Sequence, residues 1–215
     1  MDILDSLRWR YATKKFDAEK KLTDAQVDGV LEAGNLAATS YGLQPFKFLV
    51  IENKELQERL ITSSYGQRQV ADASHVIVIA TRGDVDESYI SKYVDRMESE
   101  RGLDGGALDN YKAVMIGAVS DMTADDMQAW ATKQAYIALG TMMAACGAMQ
   151  IDACPMEGFV SSEYNEILGL AKMNLSAAVV LPIGYRAGDD KNSQSKKVRQ
   201  PLNEIVVKEV SWQQA

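Results

Sequence analysis

The chain has 215 residues, 47% of them hydrophobic, which is enough for one sizeable core and too little for two, so a single domain over residues 1–215 is expected. Its formal net charge of −7 comes with no basic stripe, an argument against nucleic-acid partners. The longest apolar stretch, residues 135–149, is interrupted by glycine and short for a membrane span. There is no basic-then-apolar leader and the two cysteines make no disulfide framework, so a reduced, cytoplasmic setting is expected.

Residues 2–11 read as a short helix with Ile3, Leu4, Leu7 and Tyr11 on one face. Thr23-Asp24-Ala25-Gln26 is a capping box opening a helix to about residue 38. Phe46-Lys47-Phe48-Leu49-Val50-Ile51 is a strand, and Asn53 caps a short helix to about residue 63. Residues 75–81 are continuously apolar, the pattern of a central strand. A charged helix spans 86–101, Gly102 to Gly106 break it, and another helix runs to about residue 119. Thr123 caps the longest helix, roughly 124–149. Its second half carries Tyr136, Ile137, Leu139, Met142, Met143 and Cys146 among many Ala and Gly. Apolar residues nearly all round predict burial, and small residues allow close approach, in a dimer seam or in the domain core. Strands follow at 150–154, at 175–185, and at 203–210 after a polar loop, 187–200, long enough to carry the C-terminus away from the body. Helices alternating with strands predict a three-layer or an α+β arrangement.

Side chains for difficult chemistry are scarce. The single histidine, His75, opens a strand after Asp72-Ala73-Ser74 and reads as a hydrogen-bonded structural residue. Cys146, Cys154 and His75 lack zinc-site spacing, and both cysteines read as buried small hydrophobes. Neither a phosphate-binding Walker pattern nor a Gly-x-Gly-x-x-Gly turn occurs. An enzyme built this way would leave the reaction to a bound cofactor.

Three features remain. Arg8, Arg10, Lys14 and Lys15 flank the end of the first helix, and Lys196, Lys197 and Arg199 precede Pro201. Each group reads as solvated surface alone; together they suit one phosphate dianion. Ala38-Thr39-Ser40-Tyr41-Gly42 offers hydroxyls and flexible backbone for a polyol or phosphate, or simply ends a helix. Pro155-Met156-Glu157-Gly158-Phe159 is a turn in which Gly158 allows close backbone approach to a ligand.

Arg10-Tyr11-Ala12-Thr13-Lys14-Lys15-Phe16, Thr39-Ser40 with Gln44-Pro45-Phe46, Asp72-Ala73-Ser74-His75, Lys133-Gln134, the 155–159 turn and Lys197-Val198-Arg199 occur in an order that resembles the FMN-dependent nitroreductase family. The similarity covers nearly the whole chain. It is greatest to the branch of oxygen-insensitive NAD(P)H nitroreductases and dihydropteridine reductases. The resemblance implies a three-layer α-β-α sandwich with a mostly antiparallel sheet, completed in a homodimer by the partner's C-terminal strand. It implies FMN at the dimer interface, with NADH or NADPH as electron donor. Arg10, Lys197 and Arg199 would then bind the FMN phosphate, Lys14 the pyrimidine edge, and Gln134 the ribityl region. Ala38, Thr39 and Ser40 would come from the second subunit. Pro155, Met156, Glu157 and Gly158 would cover one flavin face, with the Glu157 N–H directed at flavin N5. Tyr11, Ala12, Gly42 and Gln69 occupy cofactor positions at which this chain departs from many relatives: Tyr11-Ala12 replaces His-Ser, Gly42 an asparagine, and Gln69 a lysine. Phe46 replaces a common tryptophan. Tyr41, Tyr111, Met115 and Ile116 are candidates for the substrate pocket, with core packing the alternative for the last three.

The function implied is two-electron reduction of nitroaromatics or quinones in a ping-pong cycle, with no catalytic side chain. The alternatives are flavin, pteridine or enone reduction on the same scaffold, or FMN binding without turnover.

Overall fold

The computed structural model describes residues 2–208. In chain order the named elements are α1 (Ile3–Trp9), α2 (Asp24–Asn35), β1 (Phe46–Ile51), α3 (Lys54–Arg59), α4 (Gln69–Asp72), β2 (His75–Arg82), α5 (Glu87–Arg101), α6 (Asp109–Ser120), α7 (Ala124–Ala148), β3 (Asp152–Ala153), α8 (Ser161–Ile167), β4 (Leu175–Gly184) and α9 (Leu202–Ile205). The four strands form one antiparallel sheet in the order β1-β2-β4-β3.

The alternation of β2 explains the layers. Ile77 and Ile79 point into a core shared with α2 and α7, including Val30, Ala138 and Met142. Val76, Val78 and Ala80 point the other way, towards Leu60, Val70, Tyr164 and Leu170. Both faces of β2 are therefore covered, which is why its sequence is continuously apolar. A register shift between Ile79 and Ala80 leaves Ala178 of β4 without a partner there, so Ala177 and Val180 share the second core. A third cluster lies between α5 and α6, built on Leu43, Ile90, Val94 and Met115.

The expected three-layer antiparallel fold is present, and several boundaries are corrected. α1 stops at Trp9 and α2 at Asn35, and the helix expected at 53–63 is α3 followed by a separate 3-10 turn at Thr62–Ser64. Ile3, Leu4 and Leu7 face outwards, while Ser6 is the buried residue of α1. A Cβ at Gly147 would stand 2.8 Å from the Ser6 carbonyl oxygen, so the glycine lets α1 lie directly on α7. The strand at 150–154 reduces to Asp152–Ala153, with a bridge from Met156 to Val180 beyond Pro155. The strand expected at 203–210 is corrected over its first part: Leu202–Ile205 is a helical turn opened by Pro201, and 209–210 lie outside the described residues. α7 buries Ala131, Ala135, Ala138 and Met142 but exposes Tyr136 and Ile137, so it packs the core on one face only.

Candidate functional site

The basic residues near Arg10 and near Lys197 meet. Arg10 leaves the helix in extended conformation, and the chain then runs beside β3: Ala12 bridges Ala153, and the Thr13 N–H donates to the Ala153 carbonyl at 3.2 Å. Lys197 Nζ donates to the carbonyl oxygens of Leu7 at 2.6 Å and Arg8 at 3.0 Å, and to that of Arg10. Its charge thus sits at the negative end of α1. Burial, then Arg199, lowers the Arg10 pKa; burial, then Arg10 and Arg199, lowers that of Lys197. Among the described residues no ion pair involves Arg10, Lys14, Lys197 or Arg199. Like charges gathered without ion-pair partners are suited to a dianion.

The 155–158 turn begins where β3 ends. The Met156 N–H donates to the Val180 carbonyl at 2.8 Å, and Gln67 Nε2 to the Gly158 carbonyl at 2.8 Å. The Tyr136 hydroxyl donates to Glu157 Oε1 at 2.6 Å. Burial, then Glu157, pushes the Tyr136 phenol up to about 12. The Glu157 and Gly158 N–H groups find no backbone acceptor among the described residues. Beside the turn lies a cavity of about 400 Å³ lined by Pro155, Met156, Leu139, Met143 and Val179, with Tyr136 and Glu157 at its polar side. Apolar walls beside free N–H donors suit a flat heteroaromatic ring.

The 38–44 loop is strained at Tyr41, φ 55°, and Gln44, φ 46°, while Gly42 between them takes φ 75° without cost. A Cβ at Gly42 would stand 2.2 Å from the Tyr93 hydroxyl, so an asparagine there requires the Tyr93 side chain to shift. The Ser40 N–H donates to Gln134 Oε1 at 2.8 Å, and Gln134 Nε2 to the Trp130 carbonyl at 3.1 Å, so Gln134 anchors this loop within its own chain. Thr39 Oγ1 is buried without a partner among the described residues. Tyr41 packs edge-on against Tyr111 with centroids 6.3 Å apart, and Ile116 is partly buried nearby. Met115 is fully buried in the third core, which is the core-packing alternative given for it rather than a place on a pocket wall. Gln69 is buried in the first turn of α4, and Ala38 is exposed.

Arg10 and the basic pair at 197 and 199 thus meet in one chain, and Lys14 on the same segment comes near Cys154, just before the turn. The 38–42 loop stands apart. Gln134, which holds it, is twelve residues along α7 from Cys146, whose thiol feels Arg10, a rise of about 18 Å.

Sequence reasoning missed three residues here. Asp152 is buried and receives the Arg186 N–H and Nε, each at 2.8 Å. Arg186 Nη2 approaches the same carboxylate at 2.6 Å as an ion pair without hydrogen-bond alignment. The Arg186 guanidinium also lies 4.4 Å from the Trp9 ring centroid and 4.7 Å from that of Tyr11. Asp190, also buried, receives the Tyr11 hydroxyl. The partners of all three lie far off in sequence, and isolated acids in a chain with 30 of them carry no signal.

The family model for the nitroreductase family matches residues 7–185. The chain belongs to the nitroreductase family. "Putative NAD(P)H nitroreductase YfkO" of Bacillus subtilis is 34% identical over 218 residues, covering 95% of this chain and 96% of its own. A nitroreductase family protein of Streptococcus pneumoniae superposes with TM-score 0.82 at 21% identity, covering 97% of this chain and all of its own. An Exiguobacterium sibiricum protein solved in complex with FMN superposes with TM-score 0.80 at 22% identity, covering 99% and 98%. These two structures share the fold of this nitroreductase-family chain. Among its described residues no helix is long and apolar enough to cross a membrane, and no group of three His, Cys, Asp or Glu is placed to hold a metal.

Proposed function

We propose that this chain is an FMN-dependent NAD(P)H oxidoreductase that reduces nitroaromatics or quinones. The observation that carries the reading is the set Arg10, Lys14, Lys197 and Arg199, in no ion pair among the described residues, with Lys14 near the start of a turn with free N–H groups. The residues fit the cofactor's chemistry: cations for its phosphate, an apolar wall for its ring, and the orphaned Thr39 hydroxyl for a polar group. Arg10, Lys197 and Arg199 hold the phosphate in this reading, and Lys14 stabilises negative charge at the pyrimidine edge. The 155–158 backbone covers one ring face, orients it through the Glu157 N–H and excludes water from that side. FMN, when bound, supplies the two-electron chemistry, taking hydride from NADH or NADPH and reducing the acceptor in alternation. No side chain acts as an essential acid.

The working unit is a homodimer in a cytoplasmic setting. The exposed apolar residues of α1 and α7, together with Val198, Leu202, Ile205 and Val207, support it. A two-fold arrangement lets the 38–42 loop of one chain complete the site of the other. Two free buried thiols, Cys146 and Cys154, fit a reducing compartment.

The test is an absorbance spectrum of the purified protein titrated with FMN, then with NADH or NADPH without oxygen. A flavin spectrum that bleaches on reduction supports the reading, and a colourless protein that takes up no FMN sinks it. Rates across nitroaromatic, quinone, pteridine and enone acceptors identify the preferred class.

A further inference from the structure

The buried Asp190 carboxylate lies between the two segments that carry the cations. Its Oδ2 accepts from the Tyr11 hydroxyl at 2.8 Å, the Lys14 N–H at 2.9 Å and the Lys15 N–H at 3.2 Å. Its Oδ1 accepts from the Asn192 N–H at 3.0 Å. Its carbonyl holds the Ser193 hydroxyl at 2.7 Å. The same two segments are also joined by the Ala187 N–H and the Lys15 carbonyl at 2.9 Å, and by Lys15 with Asp189.

We propose that Asp190 is the positioning residue of the phosphate site, joining the Arg10–Lys14 segment to the 190–199 segment so that cations from both converge on one dianion. The proposal rests on the flavin reading above. It goes beyond that reading in assigning a negatively charged residue a favourable role in binding an anion. A bare carboxylate near a phosphate would repel it. Here four donors occupy the carboxylate, so its charge is spent on the backbone of the loops that carry the cations. Burial alone would raise the Asp190 pKa, and these donors outweigh it, holding the carboxyl below the usual aspartate range. An asparagine keeps the shape but turns an amide towards the Lys14 and Lys15 N–H groups or gives up the Asn192 N–H. Either choice leaves a donor facing a donor.

The test measures dissociation constants of Asp190→Asn and wild type for FMN and for riboflavin, which lacks the phosphate, with melting temperature alongside. The preference for FMN over riboflavin should fall about tenfold, the worth of one charged hydrogen bond. Tyr11→Phe, which removes one donor and leaves the charge, should lower the same ratio by a smaller factor and serves if Asp190→Asn does not fold. An unchanged ratio, or equal weakening for both ligands with a lower melting temperature, makes the residue merely structural and overturns the proposal. A tighter grip on FMN means that the carboxylate acts by repulsion and also overturns it. If wild type binds neither flavin, the flavin reading fails and the proposal with it. If wild type binds FMN normally, the variants decide the proposal alone.

Discussion

Glu157 is the conspicuous acidic side chain at the turn, and replacing it with glutamine separates its two possible contributions. The carboxylate already has a partner, the Tyr136 hydroxyl at 2.6 Å, while its own N–H is the free donor. Glutamine keeps the oxygen acceptor and the backbone N–H and removes only the charge. A charged hydrogen bond exceeds a neutral one by about 1 kcal/mol, and Tyr136 is 36% exposed, so solvent screening reduces even that. The loss in kcat/KM for NAD(P)H should therefore stay within about fivefold, since tenfold corresponds to roughly 1.4 kcal/mol. Tyr136→Phe removes the same contact from the other side and should fall in the same range. Steady-state rates on the FMN-loaded variants, corrected for bound flavin, provide the measurement. A loss above about a hundredfold in Glu157→Gln alone would mean that the carboxylate transfers a proton and that the turn has been misread.

Four further outcomes are expected. Lys14→Ala should lower the flavin midpoint potential by about 30 mV, the order expected for one screened charge at the pyrimidine edge, and an unchanged potential in redox titration removes that role from Lys14. Gly147→Ala should lower the melting temperature by roughly 2–8 °C, because its Cβ meets the Ser6 carbonyl oxygen at 2.8 Å and the overpacking exceeds the helix-propensity gain; a rise refutes the close approach of α1 to α7. Ile137→Glu, on the exposed face of α7, should move the protein in size-exclusion chromatography towards the 23.6 kDa monomer and weaken FMN uptake, whereas an unchanged dimer places the interface elsewhere. Burial lowers the His75 pKa from 6.5, so the folded protein binds fewer protons there than the unfolded chain does. Stability should be fully present above pH 6.5 and decline as pH falls through the lower folded value; denaturant titrations of His75→Gln should lose that part of the slope.

Local chemistry made much of the chain legible in advance. The capping box at Thr23 and the caps at Asn53 and Thr123 are each closed by contacts within three residues, and all three form as expected. The double-sided burial of β2 was visible because no solvent-facing position interrupts its apolar run. His75, read as a hydrogen-bonded structural residue, indeed contacts the Ser74 hydroxyl at 2.9 Å. Other features depend on distant contacts, which no local pattern fixes. The apolar face of α1 points to solvent because Gly147 and Ser6 set its docking. Met115 enters the core where α6 packs against α5.

The sequence by itself supplied Arg10, Lys14, the 155–159 turn, Lys197 and Arg199, and the family resemblance implied a phosphate and a flat ring for them. Residue types and their order are enough to define a donor set. The meeting of those groups was decided by the tertiary structure. The chain from Arg10 lies along β3, Lys197 returns to the end of α1, and Asp190 ties both segments together across 176 residues of sequence. Such partners are chosen by packing around the sheet, and no local pattern records them.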